Sequence, residues 1–307
     1  MKTLLIQTVL AIMIMLLVYT PEIKAGHPCC YVLICCRSAN KGMTFLVNGK
    51  WNEAHDYKDI NQVSDIMQKI KDAGIKTIIV DMSNDAQWTN YWNEFKPMLE
   101  NIQKICRDKN MQYFILIGAA GEFSFWNEKA ERIWNKWAQD TIYRKYGFDG
   151  KGRGEERNRP MIVAFQPADM YWERYDKAPD SVKTYLSKFY IGTTQVNDPI
   201  IPETSDGWGY RNYSQNVNGD IRFACPNGGV PPSDWYRVSE AEWRRRVKWA
   251  SHAEHYSIYG SYDDCCDGIH WGIADTKNTD VKCNKYPGDQ PFIYYNVIKE
   301  ILTTDKQ

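Results

Sequence analysis

Over most of its length the chain alternates between apolar residues at helical spacing and short unbroken apolar runs, and few folds accommodate that order. Val63, Ile66, Met67 and Ile70 recur as one helix face does, and Gly74 and the run Thr77-Ile-Ile-Val-Asp81 follow them. Residues at i, i+3, i+4 and i+7 line one side of a helix, whereas a bounded run of β-branched and aliphatic residues is a strand buried on both faces. The unit repeats in Phe95, Met98, Leu99, Ile102 and Cys106, followed by Tyr113-Phe-Ile-Leu-Ile-Gly118. A third helix is expected through Ala130, Ile133, Trp134, Trp137 and Thr141, ahead of the strand Met161-Ile-Val-Ala-Phe165, with Thr44-Phe-Leu-Val47 as the first strand of the series.

The second half keeps the alternation with longer interruptions. Val182, Tyr185, Leu186 and Phe189 predict a short helix running into the strand Tyr190-Ile-Gly-Thr-Thr194, and Ile221-Arg-Phe-Ala-Cys225 supplies another strand. Ser239-Glu-Ala-Glu242 reads as a capping box, in which Ser and Glu side chains satisfy free backbone donors at a helix start. Trp243, Val247 and Ala250 give that helix an inner face, and the strand from Tyr256 follows.

Seven strand candidates separated mainly by helices place the chain in the α/β class with a parallel sheet and crossover connections, and 307 residues suit a single (β/α)8 barrel of the TIM type. The eighth strand is left open between Cys30-Tyr-Val-Leu-Ile34 and a segment beyond Gly268, and an open, doubly wound sheet is the alternative. Residues 44–307 are taken as the barrel domain. Of two long connections, Val196 to Gly219 follows a strand and is assigned to the catalytic face; Gly147 to Arg159 follows a helix and is assigned to the opposite one.

Residues 1–25, with Lys2, an apolar run from Leu4 to Val18, Pro21 and Ala25, read as a signal peptide, and 26–43 as a Cys-rich segment. The expected location is therefore secreted, periplasmic or at the cell surface, with no stable membrane insertion after cleavage. Nine Cys, six of them in the adjacent pairs Cys29-Cys30, Cys35-Cys36 and Cys265-Cys266, make disulfides the default in an exported chain, with one thiol left over. Neither a metal site nor a cofactor is read from them. With 38 basic and 38 acidic residues the net charge is zero, which argues against a nucleic-acid partner.

In a parallel β/α fold, chemistry sits just beyond the C-terminal ends of the strands. Those positions hold Trp51 and Asn52, Asp81, Glu122, Gln166, Gln195, and the acidic series Asp263, Asp264 and Asp267. Carboxylates and amides answer the paired donor and acceptor of a sugar hydroxyl, and Trp51, Trp88, Trp126 and Trp172 are rings that can stack on a sugar face. Plainer readings stand beside these. Asp81 or Glu122 alone is a common helix cap or loop residue, and three Asp in five positions also suit a calcium loop or a disulfide-braced turn. A disulfide-stabilised surface protein whose long loops meet a protein partner is a reading from outside carbohydrate chemistry.

The stretch Ser261-Tyr-Asp-Asp-Cys-Cys-Asp-Gly268 resembles the Asn-Glu-Trp-x-Glu-Gly signature of the family 99 endo-α-mannosidase group and its relatives, including the family 71 glucanases. A softer match is Phe148-Asp-Gly-Lys151 with Arg159-Pro-Met-Ile-Val163, similar to an Asp-Gly-Lys-Pro-strand motif of that group split by a charged insertion. The resemblance implies a β/α barrel that cleaves glycans. It places Asp264 on the carboxylate that assists attack at the anomeric centre through a neighbouring hydroxyl, and Asp267 on the acid/base for the leaving oxygen. Both positions hold Asp where the signature has Glu, and Cys265 stands where it has Trp. A non-catalytic glycan-binding barrel is the alternative function.

Overall fold

The computed structural model describes residues 29–34, 44–47, 50–53, 58–82, 88–89, 91–118, 123–145, 158–165, 174–195, 211–214, 217–224, 227–228, 236–237, 239–251, 255–263, 272–274 and 292–304. Their strands are β1 (Cys29–Ile34), β2 (Thr44–Val47), β3 (Lys50–Glu53), β4 (Thr77–Met82), β5 (Gln112–Gly118), β6 (Met161–Phe165), β7 (Tyr190–Gln195), β8 (Arg211–Ser214), β9 (Val217–Ala224), β10 (Asn227–Gly228), β11 (Tyr236–Arg237), β12 (His255–Asp263) and β13 (Gly272–Ala274). The α-helices are α1 (Ile60–Asp72), α2 (Lys96–Asp108), α3 (Phe123–Lys136), α4 (Glu240–Ser251) and α5 (Ile293–Thr304).

The class is α/β, with a parallel sheet and helices. Its strands pair in the order β1-β4-β5-β6-β7-β8-β9-β12, and β12 pairs back onto β1. This return closes the ladder, so the described strands do not form an open doubly wound sheet. Every strand of the ring runs parallel to its neighbours except β8, which is antiparallel to both β7 and β9.

The ring begins at β1, earlier than expected, and so draws in part of the segment 26–43. Thr44–Val47 is not a ring strand. It pairs antiparallel with Lys50–Glu53 in a separate hairpin, and the two residues between them in sequence are Asn48-Gly49, the dipeptide whose backbone freedom fits a two-residue hairpin turn. Both options for the eighth strand are occupied, but differently: Cys29–Ile34 closes the ring, and Gly272–Ala274 pairs with β12 alone.

Helices α1 and α2 form as their patterns dictate. Asp59 caps α1 by accepting from the Asn61 backbone N–H at 2.9 Å and the Gln62 amide at 2.9 Å, and Val63, Ile66, Met67 and Ile70 are buried. Gly74, at φ 93°, ends it where a Cβ would be strained. Pro97 stands in the first turn of α2, where its missing N–H costs nothing, and Met98, Leu99, Ile102, Ile105 and Cys106 face the core. Each such aliphatic side chain contributes about 1.5–3 kcal/mol on burial. Cys106 is a buried free thiol, and burial pushes its pKa up, so it is inert.

Three elements depart from expectation. Helix α3 ends at Lys136, so Thr141 lies in a following turn that Asp140 organises by accepting from the Ile142 N–H at 3.3 Å. The helix expected around Val182 to Phe189 is two 3-10 turns, Asp180–Val182 and Leu186–Lys188, because Asn127 of α3 accepts from the N–H groups of both Tyr185 (2.7 Å) and Leu186 (3.3 Å). At α4, Ser239 Oγ accepts from the Glu242 N–H at 3.2 Å, while the Glu242 carboxylate turns to Arg245 and Arg246, both at 2.7 Å.

The N-terminal ends of β5 and β6 are sealed by a polar floor. Tyr143 packs edge-on against Tyr113 at 5.2 Å between centroids and donates to the Met161 carbonyl at 2.9 Å. Asp140 accepts from Gln103 and, at 2.9 Å, from Arg107. Lys145 and Pro160 form a bridge here, so both ends of the charged insertion are anchored away from the C-terminal strand ends.

Candidate functional site

The parallel strands of the ring deliver their C-terminal ends to one end of the molecule. Strand β12 reaches farthest in one respect: its pairing with β9 stops at Ile258 and with β1 at Gly260, and from Ser261 to Asp263 it pairs with β13 instead. The acidic series therefore starts where this strand outlasts both ring neighbours. One strand, β1, separates β12 from β4, whose Asp81 is in register with Ile34 on one side and Leu116 on the other. Two inter-strand steps of about 4.8 Å put the ends of β4 and β12 roughly 10 Å apart across the sheet.

The remaining expected residues are distributed as follows. Gln195 ends β7, in register with Arg211 of the antiparallel strand. Trp51 and Asn52 lie on β3, paired with Leu46 and Phe45, in the hairpin of the connection that follows β1 and not directly beyond a ring strand. Glu122, Gln166, Asp264 and Asp267 fall outside the described residues, as do residues 1–25 and Cys265-Cys266. No described helix is long and apolar enough to cross a membrane.

The rim beside β4 is resolved in chemical detail. Trp88 donates its indole N–H to the carbonyl of Met82, the last residue of β4, at 3.0 Å. Tyr91 stacks on Trp88 at 5.8 Å with planes 9° apart, and Trp92 meets Tyr91 edge-to-face at 4.8 Å. Each ring of this ladder has a cation near its centroid: Lys129 at 5.8 Å from Trp88, Arg132 at 5.6 Å from Tyr91, and Lys96 at 5.7 Å from Trp92. The Tyr91 hydroxyl accepts from Trp137 at 2.7 Å, and burial raises its pKa. Lys129 is only 1% exposed; its ammonium donates to the Gly118 carbonyl at the end of β5 (3.1 Å) and lies 4.2 Å over Phe125. A buried ammonium costs several kcal/mol unless compensated, so this corner is specified tightly.

Two of the rings expected to stack on a sugar are excluded from that role. Trp88 is 2% exposed and Trp126 is 0% exposed, with Arg174 lying 4.6 Å over the latter. Both are core side chains, Trp126 on α3 and Trp88 held on the carbonyl that ends β4. Trp92, which does not directly follow a strand, is instead 60% exposed. It belongs to a π-helical turn, Tyr91–Phe95, in which Tyr91 and Phe95 are buried. The aromatic cluster Trp88-x-x-Tyr91-Trp92 was visible in the sequence, but which ring would face water depended on that turn.

No protein-family profile matches the sequence, and no curated protein does. Solved structures match in fold. The glycoside hydrolase family 99 endo-α-mannosidase from Bacteroides thetaiotaomicron superposes with a TM-score of 0.54 at 11% identity, over 92% of this chain and 99% of that one. A glycoside hydrolase-like protein superposes with a TM-score of 0.50 at 11% identity, over 93% and 95% of the two chains.

Proposed function

We propose that this chain is an exported glycoside hydrolase with a TIM-type barrel, acting on a polysaccharide or glycan through Asp264 and Asp267. The observation that carries the reading is the position of β12: it closes the ring and ends at Asp263, the residue that precedes Asp264 in sequence, at the C-terminal end of the parallel strands. In β/α barrels that end holds the reacting groups. The fold likeness to the endo-α-mannosidase supports the same assignment.

In this reading Asp267 is the general acid/base for the leaving oxygen and Asp264 the partner carboxylate. Asp81, Gln195 and Asp263 at strand ends, Trp51 and Asn52 on the hairpin, and Glu122 and Gln166 bind the sugar. The chain is one barrel domain after its signal peptide, works outside the cytoplasm without inserting in a membrane, and takes carbohydrate and not nucleic acid.

Turnover of a glycan library by the Asp264→Asn and Asp267→Asn variants tests the assignment. Loss of about a hundredfold or more in kcat/KM is expected from removing either group; wild-type turnover by both variants sinks it. A non-catalytic glycan-binding barrel is the second reading, favoured by the shorter Asp at both signature positions, since a misplacement of about 1 Å costs on the order of a hundredfold in rate. Saturable binding with no released product assigns that role instead.

A further inference from the structure

We propose that Trp92 is an outer binding platform for an extended glycan, standing on the rim beyond the end of β4 and separate from the carboxylate site. The proposal rests on the carbohydrate reading above for its ligand class, and on the aromatic ladder for its place.

A single exposed apolar ring is ordinary on a protein surface. Trp92 differs in how it is held. Its neighbours form a graded series from the sheet outward: Trp88 anchored on the Met82 carbonyl and 2% exposed, Tyr91 buried and bonded to Trp137, then Trp92 at 60%. Arg132 reinforces the series by donating to the Trp88 carbonyl at 3.2 Å and pairing with Glu128. Lys96, beside the Trp92 ring, pairs with Glu100 at 3.6 Å, and Lys136 joins the same carboxylate at 2.8 Å.

A ring fixed in this way loses little conformational freedom when a ligand docks, which is the condition for an efficient binding platform. The π-helical turn adds to the case, since such turns are rare and frequent at functional sites. The indole has an apolar face with a polar N–H at its edge, which suits the apolar face and hydroxyl rim of a pyranose. The ladder that carries it starts from Trp88 on the last residue of β4, at the same end of the sheet as Asp81 and the end of β12. A chain running out of a cleft at the strand ends would meet it as an outer contact, so long glycans gain from it and single sugars do not.

Affinity electrophoresis in gels containing soluble mannan, α-glucan, β-glucan or galactan, with polyglutamate as control, tests this on wild type, Trp92→Ala, Trp92→Phe and Asp267→Asn. At least one polysaccharide should retard the wild type and Asp267→Asn alike. Trp92→Ala should weaken that retardation about tenfold, as losing one aromatic contact of this kind implies, with Trp92→Phe between them. Thermal unfolding should show Trp92→Ala folded as wild type. The proposal is overturned if no polymer retards the wild type, if Trp92→Ala migrates as wild type does, or if its loss of binding follows loss of self-association. Retardation that depends on Trp92 in a protein without turnover keeps the platform and removes the hydrolase; turnover whose preference for long over short glycans ignores Trp92→Ala does the reverse.

Discussion

The two ends of the parallel strands β4, β5 and β6 use the same materials differently, the floor closing β5 and β6 and the rim standing over β4 and β5. At the N-terminal floor, Tyr113 and Tyr143 are buried, Asp140 gathers Gln103 and Arg107, and the Tyr143 hydroxyl is tied to the backbone of β6. Burial raises the pKa of both phenols, which stay neutral and act as packing with a polar tip. At the C-terminal rim the rings and cations again interleave, but the series opens outward and ends in an exposed indole. Aromatic content by itself therefore says little about ligand binding; the direction in which a ring cluster loses its burial does.

The largest expected effect on that contrast comes from the floor. Tyr143→Ala removes a fully buried ring and its bond to the Met161 carbonyl and should destabilise by about 3–5 kcal/mol in urea unfolding, with no change in glycan retardation per folded molecule. A loss of retardation without a loss of stability would break the division between a structural floor and a binding rim.

A smaller effect probes the buried root of the rim. Tyr91→Phe leaves the Trp137 indole N–H without its acceptor inside the core and should cost about 1–3 kcal/mol while preserving the ring ladder. Equilibrium unfolding together with near-ultraviolet circular dichroism checks it. An unchanged unfolding midpoint would show that the ladder is not locked through Tyr91 to Trp137.

The smallest concerns charge. Burial alone would raise the Glu242 carboxyl, but hydrogen bonds from Arg245 and Arg246 outweigh it and hold it below its ordinary 4.5. Its contribution is then present above pH 4.5 and lost as pH falls through the lower folded value. Glu242→Gln should cost under about 1 kcal/mol at pH 7, given its partial exposure, and the difference from wild type should vanish in acid. A difference that persists unchanged at pH 3 would remove the ion pairs as its cause.

Much of the fold was legible because its cause is local. The stripes of α1 and α2 and the apolar runs of β4, β5 and β6 are written in consecutive residues, and α5 shows the same spacing in Tyr294, Val297, Ile298 and Ile301. The hairpin of β2 and β3 is equally legible in Asn48-Gly49, a turn signal that outranks the apolar run Thr44–Val47 as a guide to its pairing. The turns near Leu186 were not readable, since they depend on Asn127, far away in sequence.

The candidate site divides along the same line. Sequence alone determined that acidic residues follow a Tyr- and Ile-rich strand, because strand propensity and the residues after it are properties of one segment. It also determined the charge balance and the aromatic supply. Only tertiary pairing decided that this strand closes the ring against Cys29–Ile34, that β8 enters the ring antiparallel to β7 and β9, and that Trp88 and Trp126 belong to the core while Trp92 meets solvent. The physical reason is that burial and closure are set by partners remote in the chain, and a one-dimensional pattern fixes what a segment can bury but not what it is buried against.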